Sequence, residues 1–223
     1  EWAQTFHQAW LEARWADFEG VFGGCTTSVQ NGRIATPFLL DCAHGSGASW
    51  LSDVLTKRGI ETREVSGSAL ALNANCGAGD FSPTQTWTVE EAASSSHALL
   101  SNLKPAPIGT LVGAALDGDG DRCLLIESTE EGYKVVDGDA MAAMLVEAGQ
   151  QQGPWRFAAS IESDVALTGF VSQFHPDTQC LETAVGDRWL SVGLRHPDGL
   201  MVSDSMPLRL GVEDSGHLVM PAS

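Results

Sequence analysis

The chain alternates between short apolar runs and stretches whose apolar residues recur at helical spacing. Leu111 to Leu116, with Leu124 to Ile126 a little further on, is the clearest pair of runs. Pro37 to Asp41, Ile60 to Val65, Tyr133 to Val136, Trp155 to Ser160 and Cys180 to Ala184 read the same way. Such near-continuous runs suit strands covered on both faces. Residues 49–58 and 164–174 read as helices, and Asp137-Gly138-Asp139 opens another to Gln151, with Met141, Met144 and Leu145 inward and Asp139 placed to cap it. Thr88 and Glu91 form a capping box for a helix running to Lys104. In Glu1 to Glu19, Trp2, Phe6, Ala9, Trp10 and Ala13 share one helical face, so an N-terminal amphipathic helix is expected to pack on the body of the protein. Residues 20–36 read as a linker. Strands and helices in alternation predict an α/β fold.

The run from Leu111 ends in Asp117-Gly118-Asp119-Gly120-Asp121-Arg122. Three carboxylates at alternate positions repel one another unless a cation neutralises them. The glycines between them let the backbone turn tightly enough to bring their oxygens together. The loop is therefore expected to hold a divalent metal at a strand end, and Mg2+, a hard ion preferring oxygen, fits best. An EF-hand counted from Asp117 needs glycine sixth and glutamate twelfth, where Arg122 and Ser128 stand. A haloacid-dehalogenase phosphatase also places Asp-x-Asp after a strand, but without this third aspartate and arginine.

Charge narrows the partners. With 29 acidic and 12 basic residues the net charge is -17, which opposes nucleic acid and anionic membrane alike. Any anionic substrate must be met by local positive charge or a metal. The 5 cysteines lie scattered with no Cys-x-x-Cys pair, so free thiols in a cytoplasmic protein are expected rather than a disulfide framework. No apolar run is long enough to span a membrane.

Further motifs follow in order. Asp41-Cys42-Ala43-His44-Gly45 closes a strand; its glycine turn suits either a phosphate at a helix start or tight backbone turning. Asn73-Ala74-Asn75 precedes Gly77, while Ser94-Ser95-Ser96-His97 reads as a polar helix face. Val185-Gly186-Asp187-Arg188 and Gly211-Val212-Glu213-Asp214-Ser215-Gly216-His217 complete the series. Glu213 and Ser215, two residues apart, project from one face of an extended chain and suit a bidentate grip on sugar hydroxyls.

Together these motifs resemble the alpha-D-phosphohexomutase superfamily, its phosphoglucosamine mutase branch most. The resemblance runs from about Phe38 to the end and covers a second domain and most of a third. Ahead of it stand the helix and linker read over 1–36; the resemblance implies a domain over 37–130 with the metal loop, and a domain over 131–223 truncated at its C-terminus. Each domain would be a three-layer α/β/α unit with a mixed sheet. It further implies phosphoryl transfer between C1 and C6 of a hexose phosphate, glucosamine phosphate first, through a Mg2+-assisted phosphoserine and a bisphosphate. Asp117, Asp119 and Asp121 would be metal ligands and Arg122 a catalytic charge. Glu213, Ser215, His217, Asp187 and Arg188 would bind substrate. The phosphoserine domain and the fourth, phosphate-binding domain have no counterpart here, so the chain alone is expected to be inactive. Phosphomannomutase/phosphoglucomutase specificity, or a non-catalytic metal- or sugar-binding module, are the alternatives.

Overall fold

The structure is a computed structural model, and it describes residues 2–22, 32–67, 71–150, 153–174, 177–195 and 208–220. The chain forms two compact units. The first comprises Glu1–Phe81, Gln85–Gly120 and Leu125–Val135; the second comprises Ser82–Thr84, Asp121–Leu124 and Val136–Ser223. Both are mixed sheets with helices, the α/β class the alternating pattern predicts.

The first unit opens with helix α1 (Trp2–Phe22), which ends three residues later than the pattern suggests. Its packing is thinner than expected. His7 meets Trp50 edge-on at 5.5 Å and Arg58 lies over Trp15 at 5.3 Å, yet Phe6, Trp10 and Phe18 stay exposed. Of the expected linker, residues 23–31 lie outside the described residues, and Ile34 to Thr36 already belong to a strand. The sheet runs β2–β1–β4–β5–β6–β3. Its members are β1 (Ile34–Asp41), β2 (Thr62–Glu64), β3 (Thr86–Thr88), β4 (Leu111–Leu116), β5 (Cys123–Ser128) and β6 (Gly132–Val136). Helix α2 (Leu51–Lys57) joins β1 to β2, its parallel neighbour. β1 also runs parallel to β4, Leu40 opposite Ala114 and Asp41 opposite Ala115. Both strands therefore end at one edge, where open α/β sheets place their ligand loops.

Helix α3 (Val89–Ser94) starts at the expected capping box but stops ten residues short of Lys104, with Ser95 extended. The serine run ends it: Ser95 Oγ accepts from His97 N at 3.0 Å, and His97 Nδ1 accepts from Leu99 N at 3.2 Å. Side chains that bond their own backbone compete with the helix ladder. His97 thus lies on no polar face. It is buried, its Nε2 3.2 Å from Gly77 O and 3.8 Å from Asp41, its ring 4.5 Å from Phe81.

The second unit carries the sheet β10–β9–β7–β8, built from β7 (Trp155–Ser160), β8 (Gln179–Thr183), β9 (Leu208–Val212) and β10 (Leu218–Val219). β7 is parallel to both β8 and β9, and β10 returns antiparallel to β9. Three helices accompany them: α4 (Gly138–Ala148), α5 (Leu167–Ser172) and α6 (Asp187–Leu194). α6 buries Leu190 and Leu194 against Ala158 and turns Trp189 and Val192 outward. Each fully buried leucine contributes about 1.5–3 kcal/mol. Two expectations for α4 are corrected. Asp137, not Asp139, caps it, accepting from Ala140 N at 2.9 Å. Its buried face is Met141, Ala142 and Val146, while Met144 is exposed. Asp139 lies two residues further in and accepts from Asp164 N at 2.6 Å, a tertiary bond that local spacing does not reveal.

Candidate active site

The acidic loop follows β4 directly. Oxygens of Asp117, Asp119 and Asp121 come within 4.8 Å of one another, Asp117 buried and the other two exposed. Gly120, at φ +80°, closes the turn and donates to Asp117 Oδ1 at 3.1 Å. The glycine turn after β1 braces the loop from the side: Ser46 N reaches Gly118 O at 2.9 Å, and Ser46 Oγ donates to Asp119 O at 2.6 Å. A Cβ on Gly45 would overlap the Gly118 backbone. Tight turning is thus one use of the Asp-Cys-Ala-His-Gly glycine, and sequence reasoning missed that it supports the acidic loop. Asp41, fully buried, accepts from Ala43 N at 2.9 Å and Gly77 N at 2.8 Å, tying that motif to the Asn-x-Asn segment. The Cys76 thiol nearby is pushed up to about 11 by burial, with Asp41, Asp80 and Glu64 adding to it.

In the second unit, the chain leaving the acidic loop lies against the turn between β9 and β10. Arg122 pairs with His217 as an isolated antiparallel bridge, and Cys123 N donates to Gly216 O at 3.2 Å. Gly216, at φ +100°, packs so close to the Cys123 backbone that no Cβ fits. His217 stands between two carboxylates, Nδ1 at 2.6 Å from Glu213 and Nε2 at 3.2 Å from Asp121. The other Glu213 oxygen takes the N–H of Gly186. Gly186, at φ +119°, opens α6 with no side-chain cap of its own, so a buried glutamate sits at that helix start and complements its exposed N–H groups.

One chain of contacts, Asp121 to His217 to Glu213 to Gly186, therefore joins three motifs that are far apart in sequence. Between β9 and β10 the Glu213–Gly216 stretch turns, with a buried carboxylate at its start, rather than running on as the extended chain expected for Glu213 and Ser215. Asp187 and Arg188 are exposed on the first turn of α6; Asp187 Oδ1 accepts from Arg188 N at 2.7 Å and the guanidinium lies 4.9 Å over Trp189. Ser215 is half-buried beside Asp214. The chain's relation to His217 was not legible, because only the fold brings Asp121 to that turn. Cys42, Cys76, Cys123 and Cys180 are thiols outside any disulfide; Cys25 lies outside the described residues. Among the described residues no helix is long and apolar enough to cross a membrane.

No family model matches the chain. It resembles the crystal structure of an apo-form N-acetylglucosamine-phosphate mutase, described as a member of the alpha-D-phosphohexomutase superfamily. The TM-score is 0.59 at 19% identity, over 91% of this chain and 38% of that one. The Aspergillus fumigatus N-acetylphosphoglucosamine mutase in complex with GlcNAc-6P and magnesium matches with TM-score 0.59 at 18% identity, over 92% of this chain and 40% of that one. The chain thus has the alpha-D-phosphohexomutase fold. In sequence its relatives include phosphoglucosamine mutases. That of Leifsonia xyli subsp. xyli (strain CTCB07) is 32% identical over 187 residues, 82% of this chain and 34% of the relative. That of Rhodococcus opacus (strain B4) is 30% identical over 202 residues, 88% of this chain and 38% of the relative. The chain spans little more than a third of the length of these curated relatives.

Proposed function

We propose that the chain is the second domain and most of the third of a phosphohexomutase, dividing near residue 130. The enzyme would move a phosphoryl group between the C1 and C6 oxygens of a hexose phosphate, with glucosamine phosphate ahead of mannose or glucose phosphate. The observation that carries this reading is the contact chain from Asp121 through His217 to Glu213, which couples an acidic loop to a polar turn suited to sugar hydroxyls. The shared fold and the names of the sequence relatives support it. The phosphoserine and the fourth-domain phosphate loop would come from protein outside these residues.

The donor set fits Mg2+. Its three carboxylates offer hard oxygens within 4.8 Å, and neighbouring ligands of an octahedral ion lie about 3 Å apart, so rotation of the two exposed aspartates closes the site. When bound, the ion supplies neutralisation of charge on the transferring phosphoryl oxygens. The residues do the rest. Asp117, held by Gly120 N, keeps the loop's shape. Arg122 adds positive charge beside the transferred group. Glu213 and Ser215 accept sugar hydroxyls in either orientation, with His217 orienting Glu213, and Asp187 and Arg188 present charge to the substrate from α6.

A coupled assay on the full open reading frame, with glucosamine, mannose and glucose phosphates in parallel, tests this. Turnover is expected to be fastest on glucosamine phosphate and to fall at least about tenfold in Asp119→Asn. The 223-residue chain alone is expected to show none. Undiminished turnover in Asp119→Asn, or robust turnover by the chain alone, overturns the assignment.

A further inference from the structure

We propose that Trp189 is a substrate-binding residue: its indole is the platform on which the C–H face of the hexose ring lies while Glu213 holds the hydroxyls. This rests on the sugar-phosphate reading above and names a further contact in the same site. The need for such a surface comes from Glu213 itself. That residue is only 3% exposed, and both carboxylate oxygens are already engaged, one by Gly186 N and the other by His217 Nδ1. It has lone pairs left to direct a hydroxyl but almost no surface to offer a ring. Most of the contact area must come from a neighbour.

One glycine separates it from such a neighbour. Trp189 N donates to Gly186 O at 2.8 Å, and a Cβ on Gly186 would lie 3.6 Å from the indole Cδ1. The indole edge thus runs along the same glycine whose N–H Glu213 accepts. Trp189 is 42% exposed although its side chain has much apolar surface to bury, and it stands apart from Leu190 and Leu194, which hold α6 on the sheet. The Arg188 guanidinium, 4.9 Å over the ring, steadies it. A platform set before the ligand arrives loses little side-chain freedom on binding. The place is also one where ligands gather. β7 runs parallel to β8 and β9, the glycine loop follows the end of β8, and Glu213 follows the end of β9. A pyranose has an apolar C–H face and a rim of hydroxyls, so an indole beside a carboxylate meets both.

The test is steady-state kinetics of the full open reading frame on glucosamine phosphate, in the parent, Trp189→Phe and Trp189→Ala. Losing the platform is expected to raise KM at least about tenfold in Trp189→Ala while kcat stays within about threefold, because stacking holds ground state and transition state alike. Trp189→Phe keeps an aromatic face, so its KM should stay within about threefold of the parent value. Inhibition by inorganic phosphate, which has no ring to stack, should be the same in all three. Tryptophan fluorescence gives a second readout: the emission change that glucosamine 6-phosphate causes in the parent should be largely lost in Trp189→Phe, which still turns over. Should Trp189→Ala melt early, the fluorescence of Trp189→Phe decides alone. A parental KM in Trp189→Ala, or an emission change kept in full by Trp189→Phe, overturns the platform and leaves the sugar-phosphate reading standing. A parent that neither turns over nor binds a hexose phosphate sinks that reading, and the platform with it.

Discussion

His97 shows how one residue can be read wrongly from its neighbours and rightly from its burial. Three serines before it suggest a solvated face, yet its ring is packed on Phe81 and its Nε2 serves Gly77 O beside the buried Asp41 carboxylate. Replacing it with alanine leaves a cavity and removes a polar neighbour of a fully buried acid. The cost of His97→Ala is expected to be about 2–4 kcal/mol, read as a lowered urea midpoint. An unchanged midpoint would mean that the pocket closes without it. The two aspartates at the start of α4 teach the same lesson. Two positions apart, both look like caps; what separates them is that Asp139 reaches Asp164 N, a partner no local pattern names. The acidic loop was legible for the opposite reason, since its ligands, its glycines and its strand all lie within a dozen consecutive residues.

At the scale of elements, strands were easier to read than helix ends. Runs such as Leu111–Leu116 and Trp155–Ser160 declare themselves because both faces are covered. Helix ends depend on side-chain bonds that compete with the ladder, and α3 and α5 stop early. Helix α4 meets the turn after β9 at Gly138, where an added Cβ would overlap Glu213 O and sit 3.1 Å from Gly216 N. Gly138→Ala is expected to destabilise the second unit by about 1–3 kcal/mol through overpacking, measured by denaturant unfolding. Asp214, on the same turn, gives a pH prediction. Its folded pKa is raised, so its contribution is fully present below the ordinary aspartate value of about 3.9 and is lost as pH rises through the folded value. Asp214→Asn carries no such loss. Its thermal midpoint should exceed that of the parent chain at neutral pH, and the gap should shrink toward pH 4.

For the whole molecule, the net charge of -17 sets the background. Self-repulsion of that size weakens the compact state, and salt screens it. The thermal midpoint is expected to rise with NaCl, and to rise further with MgCl2 at equal ionic strength if the acidic loop takes the ion. Equal midpoints in the two salts would leave screening as the whole effect. Composition announced this charge at once, and the motif series announced the family. What it did not announce was the imidazole shared by Asp121 and Glu213. Two loops fastened to one ring do not drift independently. A replacement at Asp121 should be felt at Glu213, and through Glu213 at the first turn of α6, so natural variation at these positions should be inherited as a set.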